Sequence, residues 1–278
     1  MKRDRRFALG PLVACLFALG PSLACPKSEP PSPPPADGGV PGDDGGEIET
    51  VALNEDGRPE EDVVRDPRRK PQEVMDFFEI GEGSRVVELM TGRGYYAELL
   101  AKRVGPTGKV WAHNSPFVLQ RFAEGPISER LDRLDLDYLQ RLDTPLDASE
   151  LPPDLDAVLI ILFYHDTYWQ EVDRAAMNRQ IFAALKPGGV YGVIDHSAVA
   201  GAGDTAVQTL HRVEESLVRQ EILDAGFVLD AESDILRHPE DPRTHSVFDV
   251  TDETRDLTDR FVLRFRKPLD AGTVPAGE

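Results

Sequence analysis

Cysteine is nearly absent from this chain of 278 residues. Its two cysteines, Cys15 and Cys25, both lie close to the N-terminus. The rest of the chain can therefore form no disulfide within itself, and its core has to be stabilised by packing. The length is sufficient for one large domain with a sizeable core and an additional tail.

An excess of positive charge is also lacking. Lys and Arg number 31 against 50 Asp and Glu, which gives a formal net charge of -19. The lack of a basic stripe argues against binding to nucleic acid or to an anionic membrane surface through charge. We expect the acidity to favour solubility and the partner to be a small molecule.

The longest apolar run is confined to the N-terminus, where Phe7 to Ala24 follow a basic segment that begins at Lys2. The run ends in Ser22-Leu23-Ala24-Cys25 and resembles a bacterial lipoprotein signal, with residues 1–24 removed and Cys25 acylated. We therefore expect an exported protein that is lipid-anchored on the periplasmic side of the envelope and touches the membrane only there. The alternative is an uncleaved N-terminal anchor.

Proline and glycine are concentrated in the segment that follows the signal. Such a composition cannot bury enough apolar surface to offset the entropy of ordering. Residues 25–58 are therefore predicted to form a flexible tether, residues 59–268 a folded domain, and residues 269–278 a flexible tail.

The most informative stretch runs from Arg85 to Val104. Arg85 to Leu89 is a β-branched, apolar run that predicts a buried strand, Thr91 to Gly94 predict a turn, and Tyr95 to Val104 predict a helix. A strand, a glycine turn and a helix together form a geometry that binds nucleotide cofactors, because the helix N-terminus offers unpaired N–H groups.

Two cofactor classes fit this turn. Gly92, Gly94 and Ala97 match the dinucleotide pattern G-x-G-x-x-G/A in letter. The position of Glu88 at the end of the strand resembles motif I of the class I S-adenosylmethionine (SAM) methyltransferases, with Met90 in the place of the first glycine.

The residues at the ends of the next two strands bear on this choice. Both cofactor families usually end the second strand with an acidic residue that binds the ribose hydroxyls, and here Asn114 holds that place. The amide can still bind a hydroxyl, but without a nearby arginine the NADP alternative is disfavoured. Asp143 falls where SAM enzymes place a carboxylate near the adenine, although it could equally belong to a turn before Thr144-Pro145.

The remainder of the chain predicts an α/β domain. The apolar run from Asp156 to Phe163 is a central parallel strand, and two final strands without a long helix between them imply an antiparallel ending. Continuous helices are expected over residues 59–80, 116–134 and 210–225, with another carrying Trp169 to Leu185. The cations from Arg65 to Lys70 are expected to be solvated; the alternative is a cap over the cofactor cleft.

From about Arg65 to Lys267 the chain resembles a bacterial group of class I SAM methyltransferases. The resemblance is carried by the stretches Glu88–Tyr96, Leu185–Gly189, Val207–Arg212 and Thr258–Phe261. It implies a Rossmann-like, seven-stranded, mostly parallel sheet of order 3-2-1-4-5-7-6 flanked by helices. It also implies SAM as cofactor, held by Glu88, Met90, Gly92, Gly94, Tyr95, Asn114 and Asp143.

Several candidates for acid–base chemistry follow the carboxyl ends of predicted strands. In an open α/β sheet the substrate binds at this edge, and histidine is the usual base near neutral pH. The candidate catalytic residues are Tyr164, His165, His196 and His211. Asp166, Asp195 and His196 could also hold a divalent cation, but no spacing demands one and we assign no metal.

The sequence therefore favours a SAM-dependent methyltransferase that acts on a small molecule. The alternatives are an envelope-anchored binding module that keeps the fold without catalysis, which the departures at Met90 and Asn114 would suit, and an NAD(P)-dependent oxidoreductase.

Overall fold

A computed structural model describes residues 56–148 and 150–269. Its strands form one seven-stranded sheet of order β3-β2-β1-β4-β5-β7-β6, which confirms the predicted topology. The strands are β1 Arg85–Leu89, β2 Lys109–Asn114, β3 Leu139–Asp143, β4 Leu155–Ile161, β5 Leu185–His196, β6 Val228–Ser233 and β7 Arg260–Arg266. Strands β1 to β5 are parallel, and β7 runs antiparallel to both β5 and β6.

Helices flank this sheet. They are α1 Glu60–Val63, α2 Asp66–Arg69, α3 Pro71–Phe77, α4 Tyr95–Val104, α5 Pro116–Val118, α6 Glu124–Leu134, α7 Asp166–Trp169, α8 Arg174–Ala184, α9 Val207–Leu210 and α10 Glu215–Asp224. A π-helical turn over Leu119–Ala123 joins α5 to α6, and a 3₁₀ turn covers Leu146–Ala148. Among the helices of the described residues, none has the length and apolar character that spanning a bilayer requires.

Each central strand contributes side chains to two separate cores. On β1, Val87 and Leu89 belong to one apolar cluster and Val86 to the other, and β4 divides Val158 and Leu159 in the same way. This alternation follows from the two-residue period of a strand that is covered on both faces. The double burial explains why these strands are read as continuous apolar runs.

Four predicted helices are interrupted. The helix expected to carry Trp169 to Leu185 is divided into α7 and α8, and Leu185 already belongs to β5. The helix expected over 59–80 consists of α1, α2 and α3, because Lys70 adopts a left-handed backbone (φ 46°) before Pro71. The helix expected over 116–134 contains the π-helical turn, and the one expected over 210–225 begins only at Glu215. Pattern recognition missed these breaks because the apolar spacing continues across them.

The packed part of the chain includes residues predicted to belong to the tether. The Arg58 guanidinium, 9% exposed, forms an ion pair with Asp66 at 2.5 Å. Arg133 donates to the carbonyl of Gly57 at 2.6 Å. The predicted signal peptide and most of the predicted tether lie outside the described residues.

Candidate functional site

A cavity of about 700 Å³ lies beyond the carboxyl ends of β1, β4 and β5. Binding sites of open α/β sheets are found at this edge. Its walls include residues of the glycine turn, the segment after β4, the end of β5, and the loop between β6 and β7. Representative lining residues are Glu88, Met90, Gly92, Tyr95, Phe163, His165, Asp166, His196, Phe248 and Thr258.

The two glycines of the turn have different surroundings. Gly92 (φ 58°) lines the cavity, and a Cβ added there would meet nothing closer than Phe163 at 3.7 Å. Gly94 (φ 87°) precedes α4, and a Cβ there would lie 2.8 Å from Ile127 Cδ1 and 2.9 Å from Arg130 Cδ. A ligand can therefore approach the backbone at Gly92, whereas Gly94 is required by the packing of α6.

Glu88 is a buried carboxylate at the end of β1, with 4% of its surface exposed. Burial raises its pKa to about 7, against the opposing influence of Thr91, whose hydroxyl donates to Oε2 at 2.5 Å, and of Arg130 and Arg69. The side chain borders the cavity. It can present a negative charge to a cationic ligand there.

Met90 and Tyr95 border the cavity on either side of Gly92. Met90 is 2% exposed and adopts a left-handed backbone (φ 55°), a conformation that favours the glycine of the usual motif. The Tyr95 hydroxyl donates to Asp66 Oδ1 at 2.5 Å, and the Arg69 guanidinium lies 4.6 Å from the ring centroid. The ring of Tyr95 is therefore fixed by α2 while it lines the cavity.

Asn114 and Asp143 occupy the predicted strand ends but make other contacts. Asn114 Oδ1 accepts from the Gly92 N–H at 2.9 Å, and Nδ2 donates to the Gly92 carbonyl at 3.0 Å. Asp143 pairs with Arg141 at 2.8 Å. Neither is among the described residues that line the cavity. The Asn114 amide thus holds the glycine turn, and its binding to a ribose stays a prediction.

His165 is held between two carboxylates. Its Nδ1 lies 2.7 Å from Asp195 Oδ1, its backbone N–H donates to Asp195 Oδ2 at 2.7 Å, and its Nε2 lies 3.1 Å from Asp166 Oδ1. Burial by itself lowers the pKa of His165, but the charges of Asp195 and Asp166 outweigh it and raise the pKa to about 10. Both ring nitrogens of His165 are therefore engaged.

His196 follows a different pattern. Its Nδ1 lies 2.8 Å from the Thr258 hydroxyl, and its ring centroid lies 6.0 Å from that of His165. Burial, together with the nearby His165 and Arg260, lowers the pKa of His196 well below its ordinary value. The His196 imidazole is therefore neutral near pH 7, and it borders the cavity.

Tyr164 and His211 are not among the described residues that line the cavity. The Tyr164 hydroxyl is buried, donates to Glu221 at 2.9 Å and accepts from Asn178 at 3.1 Å. His211 follows α9 in a left-handed conformation (φ 54°). The prediction of a helix over residues 210–225 had placed His211 at a helix start, and this is wrong. Its Nδ1 lies 3.3 Å from Asp166 Oδ1, directly behind the cavity wall.

Solved structures with the same architecture include methyltransferases. A SAM-dependent methyltransferase from Aquifex aeolicus is 19% identical, with a TM-score of 0.54 over 73% of this chain and 92% of that chain. The fold is that of the class I SAM-dependent methyltransferases. The [4+2]-cyclase SpnF is also similar, with 16% identity and a TM-score of 0.52 over 73% of this chain and 81% of that chain. No protein-family model and no curated protein matches the sequence.

At these identities the likeness concerns the methyltransferase fold, and the similarity to a cyclase illustrates that this fold carries more than one chemistry. The reaction depends on the side chains that line the cavity at the carboxyl edge of the sheet.

The loop between β6 and β7 (residues 234–259, the β6–β7 loop) forms a wall that the sequence did not indicate. Val247, Phe248 and Val250 line the cavity. Asp256 joins the loop to the start of the domain through Arg65 at 2.7 Å and Arg69 at 3.0 Å. Both arginines belong to the cationic segment from Arg65 to Lys70, which was predicted to be solvated. That prediction is wrong for Arg65 and Arg69, because both pair with the loop. No periodicity marks such a loop in the sequence, because its contacts are side-chain contacts across about 190 residues.

Proposed function

We propose that this protein is a SAM-dependent methyltransferase that acts on a small-molecule acceptor. The observation that carries the proposal is the open backbone at Gly92, which lies beside the buried Glu88 on a cavity that also contains His196. The class I fold supports it. A dinucleotide oxidoreductase is disfavoured by the antiparallel ending of the sheet.

The cavity wall at the glycine turn fits the cofactor. A side chain at Gly92 would enter the cavity, so the site has room for ligand atoms against the backbone. Glu88 would hold the ammonium group of the methionine part, and the aromatic rings of Phe122 and Phe163 adjoin the turn. When bound, SAM supplies an electrophilic methyl group on a sulfonium.

His196 is the cavity residue that we assign as the base. Its Nδ1 contacts Thr258, which orients the ring, and this is the one ring nitrogen of His196 for which a side-chain contact is found among the described residues. In contrast, both ring nitrogens of His165 contact carboxylates. An acceptor hydroxyl or amine that loses its proton on methylation would pass that proton to His196.

The walls of the cavity position the acceptor and exclude water. The apolar residues Val247, Phe248 and Val250 line the same cavity of about 700 Å³ as Met90 and Phe163. Methyl transfer depends mostly on holding the nucleophile and the methyl group close and aligned. A cavity of this size suits a small molecule that binds together with the cofactor.

Turnover can be tested by measuring the formation of S-adenosylhomocysteine from SAM with a panel of small hydroxyl and amine acceptors. For an acceptor that reacts, His196→Gln should lower kcat at least tenfold and leave SAM affinity within about twofold, because a base acts mainly in the transition state. His245→Gln is the matched control, since His245 lies outside the cavity wall. Unchanged kcat in His196→Gln would contradict the assignment of the base, and SAM binding without turnover would favour the binding module.

A further inference from the structure

A cluster of metal-ligating side chains lies behind the wall of the cavity. His165, Asp166 and His211 are all buried and each offers one ligand atom, and these atoms lie within 4.8 Å of one another. His165 and Asp166 line the cavity, whereas His211 supports Asp166 from the far side. The three residues come from the segment after β4 and from the residue that ends α9.

Two of the three distances within the cluster match those between neighbouring ligands of one ion, and the third is at most 4.8 Å. His165 Nε2 lies 3.1 Å and His211 Nδ1 lies 3.3 Å from Asp166 Oδ1. A tetrahedral ion with bonds of about 2.0 Å holds neighbouring ligand atoms about 3.3 Å apart, so both imidazoles already lie at ligand spacing from Asp166.

Hydrogen bonding alone leaves the cluster poorly satisfied. Asp166 Oδ1 is approached by three nitrogen atoms, since Trp169 Nε1 also donates to it at 2.8 Å. His211 Nε2 is buried without a hydrogen-bond partner. If His211 Nδ1 carries the proton, a lone pair is buried at Nε2; if it does not, two lone pairs face each other across 3.3 Å. A cation between Nδ1 and Asp166 would convert that second contact into an attraction, with the proton of His211 on Nε2.

A carboxylate behind His165 completes the arrangement. Asp195 Oδ1 lies 2.7 Å from His165 Nδ1, which leaves Nε2 of that ring directed to Asp166. Metal-binding histidines commonly donate their second ring N–H to a carboxylate, which fixes the tautomer and orients the ring. The Trp169 hydrogen bond orients Asp166 in the same way.

We propose that His165, Asp166 and His211 bind one divalent transition-metal ion at the edge of the cavity. Two imidazoles and one carboxylate suit zinc or another first-row ion better than Mg²⁺ or Ca²⁺, which prefer oxygen ligands. Because two of the three ligands line the cavity, its remaining coordination positions would be open to a bound molecule. The ion is a feature beyond methyl transfer, and its presence does not depend on that activity.

The test is a titration of the full chain with Co²⁺ after removal of metals by a chelator. Cys15 and Cys25 are first alkylated, because thiolates bind these ions strongly. We expect one Co²⁺ per chain, with visible d–d absorption of a nitrogen and oxygen site, and displacement by Zn²⁺ that elemental analysis counts. If the alkylated chain without substitutions does not bind Co²⁺ saturably, the proposal is overturned, whatever the variants do.

Variants locate the ion. Asp166→Asn and His211→Gln should each lower Co²⁺ affinity by more than tenfold, whereas Asp195→Asn, which keeps all three ligands, should lower it about 10- to 100-fold. His245→Gln, a half-exposed histidine outside the cluster, should bind as the unchanged chain does. Circular dichroism of the metal-free proteins checks folding, and if the ligand variants fail to fold, Asp195→Asn decides. Affinity that stays equal in the folded variants shows a hydrogen-bond network without an ion.

Discussion

Glu88 is a buried carboxylate. It borders the part of the cavity where we expect a cationic ligand to bind. Its pKa of about 7 results from burial, which Thr91 and two arginines only partly oppose. Protonated Glu88 would bind an ammonium group poorly, and ionised Glu88 would bind it well. The charge state of this one side chain therefore sets when the cavity is ready for its proposed cofactor.

We predict that SAM affinity rises about tenfold between one pH unit below and one unit above the pKa of Glu88. Calorimetric titrations across this range measure it, and Glu88→Gln reports any titration of the ligand itself. The stability of the ligand-free chain should change with pH in the opposite direction. The folded chain binds the proton of Glu88 more tightly than the unfolded chain does. The free energy of unfolding should therefore fall as pH rises from the ordinary pKa of glutamate to about 7. A pH profile of SAM affinity identical in Glu88→Gln would contradict the role of Glu88.

Residue-scale prediction from sequence succeeded where a residue's place in the chain determines its place in the fold. Glu88 and His196 lie at the ends of strands, and Gly92 and His165 follow strands. Parallel strands bring their carboxyl ends to one edge. The sequence could not predict which side chains at that edge point into the cavity. Tyr164 directly precedes His165, yet its hydroxyl is buried with Glu221 and Asn178.

At the scale of elements, the β6–β7 loop is attached to the start of the domain by Asp256. Its carboxylate, 6% exposed, contacts Arg65 and Arg69. Burial would raise the pKa of Asp256, but the arginines dominate and hold it well below the ordinary value. The ionised carboxylate therefore stabilises the fold at neutral pH, and this contribution is lost as acid protonates it.

We predict that Asp256→Asn lowers the free energy of unfolding by about 3 kcal/mol at neutral pH, because the buried Arg69 and the partly buried Arg65 lose the counter-charge of Asp256. Denaturant unfolding monitored by fluorescence measures it. Asp252→Asn on the same loop is the control, since that carboxylate is fully exposed and should change stability by less than about 0.5 kcal/mol. Equal stability of the two variants would show that the loop is held by other contacts.

The order of the sheet could be predicted because the strands and their antiparallel ending match a known family pattern. The helices were less accessible. A change of backbone hand at Lys70 and at His211 divides helices whose apolar spacing alone continues. Gly94 illustrates the same limit: the motif assigned it to the cofactor, and the structure places Ile127 and Arg130 where its side chain would be.

For the whole molecule, we propose export and a lipid anchor, which rest on residues outside the described part of the chain. The basic segment from Lys2, the apolar run to Ala24, and Cys25 agree with one another. Export and SAM binding make opposing demands, since SAM is made in the cytosol. An exported domain would have to carry its cofactor with it or obtain it outside.

Membrane attachment tests the proposed lipid anchor. We predict that Cys25→Ser moves the protein from the membrane fraction to the soluble fraction, because the acylated residue is lost. Cys15→Ser is the matched control and should stay with the membrane, since the apolar run before Cys15 is too short for a signal. Fractionation followed by immunoblotting measures both, and a soluble, unprocessed parent chain would refute the anchor.

The central claim is that the Gly92 turn binds SAM, and calorimetry of the full chain tests it most directly. SAM should bind with one site per chain and NADH should not. Gly92→Ala should lose at least tenfold in affinity, because its methyl group enters the cavity. Gly201→Ala carries the same left-handed strain in open space away from the cavity and should bind like the parent. Absence of SAM binding in the parent chain, or equal affinity in both variants, would contradict the account.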